Sequence, residues 1–152
     1  MIRLVTGICE RDGRILLVAS RYPNHREPLW NLPGGRPRLG ESLAEALARE
    51  FTEEVGLEIA LECLAYVSES FDSADLRRVV NVTFVVRASG EIRVAETDAH
   101  VVDARWVSPN DLPLYLSARV VREPLLAFLD GDERRYFDLG EAGITIEFAD
   151  EP

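Results

Sequence analysis

The sequence predicts an α+β fold in which a mixed sheet lies between helices. Three observations predict it. Strand-like apolar segments fill the first 32 residues. One amphipathic helix pattern over about 42–55 carries its own start and stop signals. A second group of strands is followed by a later helical stretch over 118–129. A length of 152 residues suits one domain, 1–152, and is enough to bury a core.

Residues 2–9 and 14–20 are rich in β-branched and aliphatic side chains. Asp12-Gly13 between them is a two-residue hairpin signal. Residues 21–28 form a polar loop with two prolines, a short strand follows through 29–32, and Pro33-Gly34-Gly35 turns the chain. Ser42 and Glu45 make a capping box, which satisfies two exposed N–H groups at a helix start. Leu43, Leu47, Phe51 and Val55 follow in four-residue steps as a core-facing stripe, and Gly56 stands where a left-handed cap ends the helix. Residues 58–70 and 77–88 read as strands. The second is almost continuously apolar and is expected to be central and covered on both faces. A strand is expected at 104–107, and Ser108–Pro113 reads as a turn or helix start. The helix at 118–129 tolerates Pro124 only with a kink or a late start. Alternation on either side of Gly140 and Gly143 predicts a C-terminal hairpin at about 134–148.

Glu50, Glu53 and Glu54 lie at i, i+3 and i+4, so a helix puts all three carboxylates on one face. Like charges this close repel, whereas hard divalent cations bind oxygen ligands, so the cluster reads as a metal site on one helix. The surrounding run holds Gly35, Glu41, Arg49, Glu50, Glu53, Glu54, Gly56 and the apolar Leu57 at fixed spacing. This segment, residues 35–57, resembles the Nudix box of the Nudix hydrolases. Phe51 stands where an aliphatic residue is more usual; it keeps the position apolar.

The resemblance implies a Nudix-type α/β/α sandwich with the Nudix helix at about 42–55. It also implies a metal-dependent pyrophosphohydrolase cleaving the diphosphate of a nucleoside diphosphate linked to another moiety. Glu50, Glu53, Glu54 and the Gly34 carbonyl become the expected metal ligands, with Mg²⁺, or alternatively Mn²⁺, as cofactor. Glu50 or Glu53 acts as base, and Arg49, four residues before Glu53, orients its carboxylate. Arg36 and Arg38 are candidates to meet phosphate. Glu41 either joins the metal network or simply favours the helix N-terminus. Glu96, Asp98 and Asp103 are candidates for an extra loop carboxylate. Tyr22, His25, Trp30, Phe71 and Trp106 can stack on a base or pack in the core, with His25 the most exposed in character. Nudix enzymes that cleave ADP-ribose tend to carry a proline where this chain has Asp72, so nucleoside triphosphates, nucleotide sugars and ADP-ribose-like substrates all stay open. The alternative is a catalytically silent nucleotide-binding regulatory module.

Net charge is −10, from 17 basic and 27 acidic residues. That opposes binding to nucleic-acid polymers or anionic membranes, yet admits phosphates when a bound cation supplies positive charge. Cys9 and Cys63 are the only cysteines and read as small buried hydrophobes in a reducing compartment. The N-terminus lacks a signal-peptide layout, which leaves the cytoplasm as the expected location. The partner is a small nucleotide, and a homodimer through the C-terminal hairpin is an option beside its packing on its own domain.

Overall fold

The computed structural model describes residues 1–95 and 100–148. β1 (Ile2–Arg11) and β2 (Arg14–Ser20) pair antiparallel through Arg11 and Arg14. Asp12 and Gly13 take positive φ of 53° and 76°, the geometry that matches strand twist in a two-residue hairpin. β3 (Leu29–Asn31) adds to β2, and Gly34–Gly35, expected as a bare turn, form a short strand β4 against β1. Helix α1 (Leu43–Val55) follows, then β5 (Glu58–Asp72), β6 (Arg77–Ser89) and β7 (Val101–Val107). A 3₁₀ turn at Pro109–Asp111 leads into α2 (Leu112–Tyr115), then α3 (Arg119–Leu129) and β8 (Tyr136–Glu141).

The sheet runs β3-β2-β1-β6-β5-β8, with β4 on β1 and β7 on β2. It is mixed: β1 and β6 are parallel, as are β5 and β8, while the other pairs are antiparallel. Alternate residues of β2 face opposite ways. Leu16 and Val18 pack with Leu47, Phe51 and Val55 of α1; Ile15 and Leu17 pack with Leu112, Leu116 and Leu125 beneath α2 and α3. Helices therefore cover both faces, and each fully buried aliphatic contributes roughly 1.5–3 kcal/mol.

Helix α1 keeps the predicted boundaries. Ser42 Oγ accepts from the Glu45 N–H at 3.0 Å and Glu45 Oε1 accepts from the Ser42 N–H at 3.0 Å. Gly56 ends the helix at φ 69°. Helix α3 starts at Arg119, well before Pro124, so the late start does not occur.

Three expectations change. β6 is central, but Val79 and Asn81 are only half-buried, because part of one face lines a cleft instead of carrying a helix. Cys63 is exposed on β5, whereas Cys9 is buried. The C-terminal hairpin does not form. β8 spends its backbone groups on β5 in parallel, with Ser68 opposite Phe137, and Gly143 at φ 71° then carries the chain away from the sheet edge. The Ala142 N–H still donates to the Phe71 carbonyl of β5 at 2.7 Å, and residues 144–148 then belong to no strand. β8 stands at the edge of the sheet and is paired on one side only, with β5. Among the described residues no helix is long and apolar enough to cross a membrane.

Candidate active site

A cleft of about 570 Å³ opens between the end of α1, the glycine strand β4, and the strand ends of β5 and β6. Glu50, Glu53 and Glu54 all line it, as their spacing predicts. Glu54 is 8% exposed, and its Oε1 accepts from the Gly34 N–H at 2.8 Å. Burial and the neighbouring Glu50 charge, opposed by that N–H and helped by Glu53, push its carboxyl well above the usual range. Glu50 is equally buried and gives one oxygen to Arg49 Nη1 at 3.0 Å. Glu53 is half-exposed. Its Oε2 takes Arg49 Nη1 at 3.3 Å, and its Oε1 lies 3.7 Å from Arg38 Nη2.

Arg49 is the hub. Its Nε and Nη2 grip Glu41 bidentately at 2.7 and 2.9 Å, and Nη2 also donates to the Arg36 carbonyl at 3.2 Å. Glu41 accepts the Arg38 N–H at 2.7 Å as well. These bonds hold the Glu41 carboxyl down at about 2 and clamp the loop between β4 and α1. Glu41 thus orients Arg49 and does not line the cleft; its partners are N–H groups, not the metal face.

Gly34 has φ 153°, and a Cβ there would stand 2.0 Å from the Val5 carbonyl. The absent side chain is what lets β4 press against β1 and turn its N–H to Glu54. A Cβ at Gly35 would lie 2.5 Å from Glu50 Oε1. The two glycines form the cradle of the carboxylate pair.

This donor set suits a hard cation. Two buried carboxylates that repel each other, with one displaced upward in pKa, are offset by a divalent ion bound through oxygen. Among the described residues no three His, Cys, Asp or Glu groups already stand in ligand geometry, since each glutamate here turns to an N–H donor. The fit rests on Glu50 and Glu54 completed by backbone or substrate oxygen.

Arg36 and Arg38 line the cleft. His25 lies outside its lining and is half-buried, because its Nε2 is within 2.8 Å of the Thr145 carbonyl. Asp103 also stays out. It sits on β7, accepts the Ala104 N–H and pairs with Arg105 at 3.0 Å. Glu96 and Asp98 lie outside the described residues. Trp106 is half-buried against the α1 core under Arg11, whereas Trp30 lines the cleft and meets Tyr115 edge-on at 5.0 Å. Tyr22 does line the cleft, and desolvation together with Glu54 pushes its hydroxyl up to about 12.

Several lining residues escaped the sequence reading: Asn81, Ser70, Asp72, Arg77 and the apolar residues of 142–148. Alternation over this tail predicts a hairpin and does not place Ile144, Ile146 and Phe148 in the cleft. Asp72 Oδ2 and Arg77 Nε are buried without a hydrogen-bond partner.

The profile of the NUDIX domain matches residues 2–129. This chain belongs to the Nudix hydrolase family. An ADP-ribose pyrophosphatase of Methanocaldococcus jannaschii is 35% identical over 109 residues, covering 72% of this chain and 63% of that protein. A CTP pyrophosphohydrolase of Escherichia coli K12 is 43% identical over 58 residues, 38% of this chain and 43% of that protein. The aligned part therefore spans less than two thirds of each relative's length. The crystal structure of a MutT NUDIX hydrolase from Burkholderia pseudomallei is 32% identical with a TM-score of 0.70, covering 82% of this chain and 95% of that one. The Nudix sandwich, its helix and its box thus coincide with the expected fold.

Proposed function

We propose that this Nudix chain is a divalent-metal-dependent pyrophosphohydrolase. It cleaves the diphosphate of a nucleoside diphosphate linked to another moiety. The observation that carries the reading is the convergence of three carboxylates from one helix on a cleft of about 570 Å³, with Glu54 desolvated beside Glu50. The relatives named for ADP-ribose and CTP chemistry support the class and differ on the leaving half.

In this reading Glu50, Glu54 and the Gly34 carbonyl would hold the cation, Mg²⁺ with Mn²⁺ as substitute, and Glu53 would contribute directly or through water. A cation held there would supply charge neutralisation at the phosphate oxygens and a more acidic bound water. Water attacks one phosphorus, the anhydride P–O bond breaks, and the leaving phosphate departs with the bond's electron pair. Glu53 is half-exposed at the cleft, and in this reading it takes the proton. Arg49 keeps Glu50 and Glu53 in register through its paired bonds. Arg36 and Arg38 meet phosphate charge as it develops.

The test is phosphate-product release over (d)NTPs, oxidised dGTP, ADP-ribose, nucleotide sugars and dinucleoside polyphosphates, each with Mg²⁺, Mn²⁺ and chelator. Metal-dependent cleavage of one group is expected. Binding without turnover for every substrate points instead to a silent regulatory module.

A further inference from the structure

Residues 142–148 lie outside the matched NUDIX segment, yet they run across the cleft. The chain there is extended without being a strand, and side chains from elsewhere in the fold satisfy its backbone. Asn24 uses both ends of its amide, donating to the Thr145 carbonyl at 2.6 Å and accepting from the Glu147 N–H at 2.9 Å. Arg77 donates to the Ile146 carbonyl at 2.6 Å, and Thr145 Oγ1 donates to Asp72 at 3.0 Å. The segment is thus pinned on one side to the β2–β3 loop and on the other to the ends of β5 and β6.

Extended backbone sends alternate side chains to opposite sides. Ile144, Ile146 and Phe148 line the cleft, while Thr145 and Glu147 are absent from its lining. Leu4, Val79 and Val101 line the same cleft, so the three side chains extend an apolar wall beside the carboxylates, a surface that suits a flat apolar group. Phe148 also lies under the Arg36 guanidinium at 5.0 Å, so the same segment reaches the phosphate end of the cleft. Asp72 Oδ2 and Arg77 Nε, whose residues form an ion pair with Nη2 3.7 Å from Oδ2, are buried there without a hydrogen-bond partner, an acceptor beside a donor. That pairing suits the edge of a heterocycle and not an alkyl chain.

We infer that residues 142–148 form the roof of the nucleoside subsite, with Ile144 and Ile146 against the base and Phe148 positioning Arg36. The inference rests on the proposed hydrolase reading and names the part of the cleft that takes the organic half of the substrate. Relatives whose similarity ends before this segment need not share its base preference.

The experiment uses the full chain and the double variant Ile144→Ala/Ile146→Ala, with thermal unfolding as a check that the variant folds. Nucleoside monophosphates are titrated by calorimetry in chelator, and KM and kcat are measured on the best nucleotide of the panel. Monophosphate affinity is expected to weaken, and KM to rise, by at least about tenfold, with kcat held within about threefold, the pattern of lost uniform binding. Phe148→Ala raises KM and Phe148→Trp restores it, since either ring supports a guanidinium. Monophosphate affinity and KM within about twofold of the parent overturn the roof, and so does tighter binding, which makes the segment a barrier. Wild-type protein that neither binds nor cleaves any nucleotide instead defeats the hydrolase reading on which the roof depends.

Discussion

Replacing Gly35 by alanine puts a methyl group on the Glu50 carboxylate. The added Cβ would stand 2.5 Å from Oε1 and 2.8 Å from the carboxyl carbon, so the carboxylate must retreat by about 0.9 Å to ordinary contact. Glu50 is the flexible end of a side chain, and retreat is cheap for the fold: destabilisation of under about 1 kcal/mol is expected. It is not cheap for chemistry. A displacement of about 1 Å in a catalytic group costs roughly a hundredfold in rate, or about 2.7 kcal/mol of barrier. Gly34 sets the contrast. Its Cβ would meet the Val5 carbonyl at 2.0 Å at positive φ, and no side chain can yield there. Relief means breaking the β1–β4 pairing and freeing Glu54 from its N–H. About 3–6 kcal/mol is at stake, a large share of the stability of a small domain.

The assay pairs urea midpoints with kcat/KM. Gly35→Ala should keep its midpoint and lose activity; Gly34→Ala should lose both. Full activity in Gly35→Ala would refute the placement of Glu50 at the reacting centre. Equal loss of midpoint in the two variants would refute the distinction between a yielding carboxylate and an unyielding backbone.

Three further outcomes follow from the same contacts. Glu54→Gln keeps an acceptor for the Gly34 N–H while removing a desolvated charge, so activity should fall by about two orders of magnitude or more with no loss of melting temperature in chelator; near-normal turnover sinks the metal assignment. In chelator, stability should peak in mild acid. Glu54 has its folded value raised, so its contribution is full below the unfolded value of about 4.5 and is lost as pH rises through the raised one. Glu41 has its value lowered, so its contribution is present above about 4.5 and is lost as pH falls toward about 2. Urea midpoints across pH check this, and Glu54→Gln should flatten the alkaline side only. Arg49→Lys replaces a five-donor fork by one ammonium and cannot hold Glu41, Glu50, Glu53 and the Arg36 carbonyl together; kcat should drop roughly 10–100-fold with folding retained. Unchanged kcat in that variant removes Arg49 from the orienting role.

What the sequence makes legible is what local spacing controls. Ser42, Glu45 and Gly56 mark α1 because caps act within one turn, and the three glutamates share a face because the helix period dictates it. The role of Glu41 is not legible that way. It stands eight residues from Arg49, and only the folded loop brings the two within 2.7 Å. The same limit explains the C-terminus. Alternation over 142–148 correctly separates an apolar face from a polar one, but alternation carries no information about which surface that face meets. The decision is made by Asn24 and Arg77, more than a hundred and nearly seventy residues away in sequence, whose side chains take the backbone groups that a hairpin partner would have used. Once those groups are taken, pairing with a strand offers the segment little, and its apolar face is left with the cleft. On the proposed reading, the box speaks to the chemistry of the diphosphate, while the choice of what is attached to it falls to a segment whose place only the tertiary fold defines.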